Sequence, residues 1–156
     1  MSTTICFDFG NTRLKAAIFK GTHFEKLELL ENDPLSAVQN LLDKYQPSKT
    51  LLSSVIHHDQ SIESLLTGYG PFHLLGPASK LNFTTPVGKP ETIGADRLGL
   101  VAAAVDLYPE QHSLVICLGT CITYNFVNNR GQFLGGGISP GCLLYTSPSP
   151  RDRQKS

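Results

Sequence analysis

The stretch "TTICFDFGNTRLKAAIF", residues 3–19, decides the fold. Ile5, Phe7 and Phe9 alternate with Cys6 and Asp8, the period of two of a strand with distinct faces. The apolar side chains take one face and Asp8 the other, and the strand runs at once into Gly10-Asn11-Thr12, residues with turn chemistry. A second strand follows from about Leu14 to Phe19 and a third from Phe24 to Leu30, separated by the hairpin turn Lys20-Gly21-Thr22. The opening is therefore a three-stranded meander whose first turn carries a carboxylate just ahead of it.

Beyond the meander, Asp33 reads as a helix N-cap and Pro34 as the first helical residue. Leu35, Val38, Leu41, Leu42 and Tyr45 recur at helical spacing, and Pro47 ends the run. Residues 50–56 read as a buried strand, 59–70 as a helix closed by glycine, and 72–76 as a further strand. Strands alternating with helices argue for an α/β sheet. Residues 77–93, rich in Pro, Gly and Thr, form a loop leading to a helix on the Leu/Val/Ala pattern of "TIGADRLGLVAAAVDLY".

Residues 114–138, "LVICLGTCITYNFVNNRGQFLGGGI", then repeat the opening architecture. Placing Gly119 on Gly10 sets Cys117 on Asp8, Thr120 on Asn11 and Phe133 on Phe24. Glycine-rich hairpins in general align this well, so the repeat calls for independent support.

The 156 residues are 40% hydrophobic and 17% charged, enough for a core, and formal net charge is zero. No general attraction to nucleic acid or anionic membrane is expected. The first residues lack a basic segment followed by an apolar stretch, and no run of eighteen apolar residues occurs, so a cytoplasmic protein is expected. Cys6, Cys117, Cys121 and Cys142 are scattered, which suits reduced thiols. Cys6, Cys117 and Cys121 read as small buried hydrophobes. His57 and His58 read as a solvated loop.

The two glycine turns suit phosphate binding. Glycine lets backbone N–H groups approach closely, Asn11, Thr12 and Thr120 add donors, and Lys15 adds a cation. Two partners suit Asp8: a hydrated Mg²⁺, which keeps several waters and takes one or two carboxylates, or the backbone N–H groups of the Gly10-Asn11 turn. The chain lacks G-x-x-x-x-G-K-[S/T], which excludes a P-loop.

"DFGNTRLK" (8–15), "PETIGADRLG" (90–99), "LGTCIT" (118–123) and "GGGISPG" (135–141) occur in the order and spacing of one family. Over residues 4–141 the chain resembles the type III pantothenate kinases. The resemblance implies a ribonuclease H-like, actin-like ATPase fold with a duplicated domain. The first copy would occupy 1–110 and the first three strands of the second 111–141. It implies ATP-dependent phosphorylation of pantothenate, the first step of coenzyme A biosynthesis, with Mg²⁺ and generally as a homodimer. By motif position, Asp8, Phe9, Gly10, Asn11, Thr12, Arg13, Leu14 and Lys15 resemble the first phosphate loop, and Thr120 the second ATP contact. Gly94, Ala95, Asp96 and Arg97 resemble the pantothenate-binding segment, with Asp96 in the place of the catalytic base. A carboxylate in a first helical turn suits proton acceptance, and an Arg beside it suits a substrate carboxylate. A non-catalytic regulatory binding protein of the same family, or a kinase of another small alcohol, are the alternative readings.

Two positions depart from the family. Many members carry an Asp where Cys117 stands, which helps bind a monovalent cation, K⁺ or NH₄⁺; a neutral thiol suits neither ion. A Tyr often stands seven residues before the Gly of the G-A-D-R segment and contacts pantothenate; here Val87 occupies that place. The family also continues about another hundred residues past the last glycine-rich turn. The three strands at 114–138 should therefore expose an apolar face, and the chain as written is expected to aggregate or stay partly disordered and to be inactive alone. Residues 142–156, "CLLYTSPSPRDRQKS", break the pattern and resemble translated adapter sequence, with a native Pro/Ser-rich linker as the alternative.

Overall fold

The computed structural model describes residues 2–31, 33–88 and 90–141, so the tail expected at 142–156 lies outside the described residues. Among the described residues the chain forms two compact units, one of residues 2–79 with 91–99 and one of residues 80–90 with 100–141. The architecture is mixed α/β, with one sheet of five strands and one of three.

In the first unit, β1 (Thr3–Phe9), β2 (Leu14–Lys20) and β3 (His23–Leu30) form the expected antiparallel meander. Gly21, at a φ of 61°, supplies the left-handed residue that the β2–β3 turn demands. Helix α1 (Pro34–Tyr45) follows, then β4 (Lys49–Ser54), α2 (Gln60–Tyr69) and β5 (Phe72–Leu74). The order is β3-β2-β1-β4-β5, with β4 parallel to both β1 and β5. Side-chain oxygens of Asp33 and Asp59 cap the two helices by accepting from Ser36 N and Ser61 N. Ile5, Phe7, Phe9, Ala16, Ile18 and Leu52 of the sheet bury against Val38, Leu41 and Leu42 of α1 and Ile62 and Leu66 of α2. Each large side chain so buried stabilises by about 1.5–3 kcal/mol.

The strand expected over 50–56 ends at Ser54. The Ser54 Oγ donates to the Ile56 carbonyl at 2.9 Å, which closes a turn, while the Val55 amide still continues the parallel bonding to β1 by donating to Phe9 O at 3.1 Å.

A polar cluster ties β3 to α1. Glu28 accepts from Tyr45 Oη at 2.7 Å and from Lys26 and Lys44 Nζ at 2.8 and 3.1 Å. Hydrogen bonds from Lys26 first, then Tyr45 and Lys44, pull the Glu28 carboxyl down to about 2 from its ordinary 4.5. A depressed carboxyl contributes stability above its unfolded value and loses it as pH falls through the folded one. The urea midpoint of the full-length protein should therefore drop between about pH 4.5 and 2. In Glu28→Gln that part of the acid dependence should vanish; an unchanged acid limb would show that the cluster contributes nothing.

In the second unit, β6 (Ser113–Leu118), β7 (Cys121–Val127) and β8 (Phe133–Pro140) form another antiparallel meander. The segment around Thr84 lies along β8: Phe133 N donates to Thr84 O, Thr84 N to Gly131 O, and Thr85 Oγ1 to Phe133 O. Helix α3 (Ala95–Leu107) begins three residues later than the sequence predicts, after the 3₁₀ turn Pro90–Thr92, and its second part, with Val101 and Ala104 buried, belongs to this unit. Leu114, Ile116, Leu118 and Phe126 share one face of the sheet and are 58, 49, 78 and 39% exposed, the uncovered apolar face that the sequence leads one to expect. Cys6 and Cys117 are half-buried, whereas Cys121 is exposed, contrary to its reading as a buried hydrophobe, because it opens β7 at the turn end of the sheet. Among the described residues no helix is long and apolar enough to cross a membrane.

Candidate functional site

The first glycine turn is fixed at both ends. Phe9 and Leu14 are cross-strand partners, and Gly10 N donates to Arg13 O at 3.2 Å, which leaves Asn11, Thr12 and Arg13 exposed at the tip. The Phe9 ring is fully buried in the core and offers the loop its backbone; the Leu14 side chain packs against the same core.

Asp8 meets a charge within the protein. Lys15 is its cross-strand partner, and Nζ lies 3.6 Å from Oδ2 with the two side chains 39 and 45% exposed. So open a pair is worth about 1 kcal/mol or less, so a phosphate or a hydrated cation can displace it cheaply. On the parallel neighbour, Ser53 pairs with Asp8 and shares its face; its Oγ is buried and has no hydrogen-bond partner. An orphaned hydroxyl of this kind costs free energy unless something bonds to it, and a metal-bound water beside Asp8 is a fitting partner. Among the described residues no group of three His, Cys, Asp or Glu side chains converges to hold a metal directly. Asp8, as a single carboxylate with the Ser53 hydroxyl beside it, has the chemistry to hold a hydrated Mg²⁺ through its waters.

The G-A-D-R segment opens α3. Leu98 N donates to Gly94 O at 3.1 Å as the first helical bond, and Asp96, in the first turn, accepts from Arg97 N through Oδ1 at 2.8 Å. Ala95 is buried, and Asp96 and Arg97 are half-buried. A Cβ at Gly94 would stand 2.6 Å from Asp96 Oδ1 and 3.7 Å from Val55 Cγ1. Glycine is therefore required there for the carboxylate to keep its place. Val55 joins the two motifs: its amide bonds to Phe9 O, and its side chain lies against Gly94.

The remaining candidates belong to the second unit. Gly119 N donates to Cys121 O at 3.1 Å, closing the turn that carries Thr120. Gly141 buttresses it: its amide donates to Thr120 O at 3.0 Å, and a Cβ there would collide with Gly119 O and the Thr120 backbone. Cys117 faces Thr123 across the ladder, and Val87 lies against Gly135 of β8, on the edge segment rather than in α3. Sequence reasoning passed over Ser53 and Val55 because the strand was read through to Ile56. The glycine at 141 has no local reason within its motif; the close approach of the Gly119 and Thr120 backbone supplies one.

Residues 4–147 match the family described as type III pantothenate kinase. A type III pantothenate kinase of Christiangramia forsetii is 38% identical over 139 residues, covering 88% of this chain and 57% of that protein. One from Bacteroides fragilis strain YCH46 is 36% identical over 141 residues, covering 90% and 58%. The chain thus spans less than three fifths of the length of these relatives. Among solved structures, a Bacteroides thetaiotaomicron protein described as having an actin-like ATPase fold and unknown function superposes with a TM-score of 0.47 at 7% identity, over 97% of this chain and 73% of that one. With four motifs in order and a family match running through nearly all of its length, the chain belongs to the type III pantothenate kinase family.

Proposed function

We propose that the full-length protein transfers the γ-phosphoryl group of ATP to the primary hydroxyl of pantothenate, giving 4'-phosphopantothenate and ADP in the cytoplasm. The observation that carries this reading, beyond family membership, is the link from Phe9 through Val55 to Gly94, which ties a glycine turn suited to phosphate to a carboxylate suited to proton acceptance. In this reading Asp96 takes the hydroxyl proton as the oxygen attacks phosphorus, and Arg97 pairs with the pantothenate carboxylate. The backbone around Gly10, the side chains of Asn11, Thr12, Arg13 and Lys15, and Thr120 orient the nucleotide. Mg²⁺, held by Asp8 through water with Ser53 beside it, would neutralise phosphate charge.

The duplicated actin-like organisation, one copy over 1–110 and the start of another over 111–141, belongs to the same proposal. Support comes from two antiparallel meanders, each with a left-handed glycine after its second strand, Gly21 and Gly131. The apolar face of β6 and β7 would be covered by the rest of the family-length chain, and a homodimer is the expected assembly. Residues 1–141 alone should be inactive.

The test is ATP-dependent phosphorylation of pantothenate by the full-length protein in K⁺ and in Na⁺ buffers. Turnover should be equal in both, because Cys117 offers a neutral thiol where a hard monovalent cation needs oxygen ligands. Many-fold activation by K⁺ would overturn the reading of Cys117, and absence of product in both would overturn the reaction.

A further inference from the structure

His58 departs from its reading as part of a solvated loop. Its side chain is only 13% exposed, and each ring nitrogen is engaged: Nδ1 lies 3.0 Å from Ser54 Oγ and Nε2 2.9 Å from Glu63 Oε1. The ring also meets Phe9 edge to face, with centroids 5.8 Å apart at 88°. These contacts come from three directions. Ser54 is the last residue of β4, Glu63 lies in the first turn of α2, and Phe9 ends β1 one residue before the glycine turn.

The Ser54-His58-Glu63 row has the order of a hydrolytic triad, and the same atoms also close the turn that ends β4. Ser54 Oγ has a single proton, the Ile56 carbonyl accepts from it at 2.9 Å, and Ile56 N approaches the same oxygen at 3.4 Å. The hydroxyl lies within hydrogen-bond reach of both the Ile56 carbonyl and His58 Nδ1, and either bond holds the turn that ends β4. What the row does is hold the β4–α2 connection, and that connection carries Val55. Val55 in turn bonds to Phe9 O and packs against Gly94, two residues before Asp96.

We infer that His58 is a positioning residue, which by clamping the β4–α2 connection onto Phe9 and Glu63 fixes Val55 between the first glycine turn and the segment that carries Asp96. This rests on the kinase reading of the two motifs. Without the clamp, Val55 loses the support that keeps Phe9 O and Gly94 at a fixed separation, and Asp96 drifts relative to the phosphate turn. A misplacement of about 1 Å in such a constellation costs up to about 10²-fold in rate while leaving the separate binding contacts in place.

The experiment compares wild type, His58→Ala and His58→Gln in the full-length protein, by amide hydrogen exchange at Val55 and by steady-state kinetics with ATP and pantothenate. In His58→Ala the Val55 amide should exchange on the order of tenfold faster. Its kcat should fall between about 10- and 100-fold, with both KM values within about threefold of wild type. His58→Gln, which keeps a donor toward Glu63 and most of the volume, should recover most of the lost kcat. Wild-type exchange at Val55 in His58→Ala would overturn the clamp. Faster exchange with unchanged kcat would overturn its role in positioning, as would a fall in kcat that His58→Gln does not relieve at matched thermal stability. Should wild type fail to phosphorylate pantothenate, the functional reading falls, and the exchange measurement still decides whether His58 holds Val55.

Discussion

Asp96→Asn in the full-length protein should lower kcat for pantothenate phosphorylation by about 10²–10⁴, with little change in the KM for ATP. Asn keeps the shape of the carboxylate and can still accept from Arg97 N, as Oδ1 does at 2.8 Å, so helix α3 retains its first turn. What it loses is the capacity to take a proton. Wild-type turnover in the variant would remove Asp96 from the mechanism. Gly94→Ala makes a useful companion, because a Cβ there would stand 2.6 Å from Asp96 Oδ1. The obstructed atom is the far end of a side chain, so the fold can yield by turning the carboxylate away. Loss of turnover with a preserved melting temperature is the expected result.

Gly141→Ala should act on the other turn and do more damage to the structure. Its Cβ would meet the carbonyl oxygens of Gly119 and Thr120, and backbone cannot swing aside as a side chain does. Either β8 moves away, breaking the bond from Gly141 N to Thr120 O, or the turn itself shifts. Overpacking of this sort costs about 1–3 kcal/mol. If Thr120 contacts ATP as proposed, the KM for ATP should rise at least about tenfold while the KM for pantothenate stays near wild type. An unchanged KM for ATP would separate this turn from nucleotide binding, and denaturant unfolding would measure the structural cost independently.

Much of the first unit was legible because its signals are local. The alternation of Ile5, Phe7 and Phe9, the caps Asp33 and Asp59, and the glycines at 21 and 70 each act over a few residues, and the elements form where these signals place them. The boundaries that slipped did so where one specific bond at the end of an element outweighs propensity. Residues 55 and 56 have strand-like composition and Val55 N still bonds to Phe9 O, yet the Ser54 hydroxyl bonds to Ile56 O and turns the chain. Helix α3 starts at Ala95 although Thr92 and Ile93 continue its pattern, because Gly94 O receives the first helical bond.

The candidate site divides the same way. The residue types that suit phosphate and proton chemistry, in "DFGNTRLK" and "GADR", are a property of sequence, and so is family membership. How the protein meets the charge of Asp8 is a matter of register: the β1–β2 ladder sets Lys15 opposite it, and the parallel β1–β4 ladder sets Ser53 beside it. A sequence by itself determines which side chains alternate to one face and where a turn or cap is cheap, since those depend on neighbours three or four residues away. Only the tertiary structure decides that Val55, unremarkable in composition, stands between two motifs some eighty residues apart, because packing joins residues by distance in space.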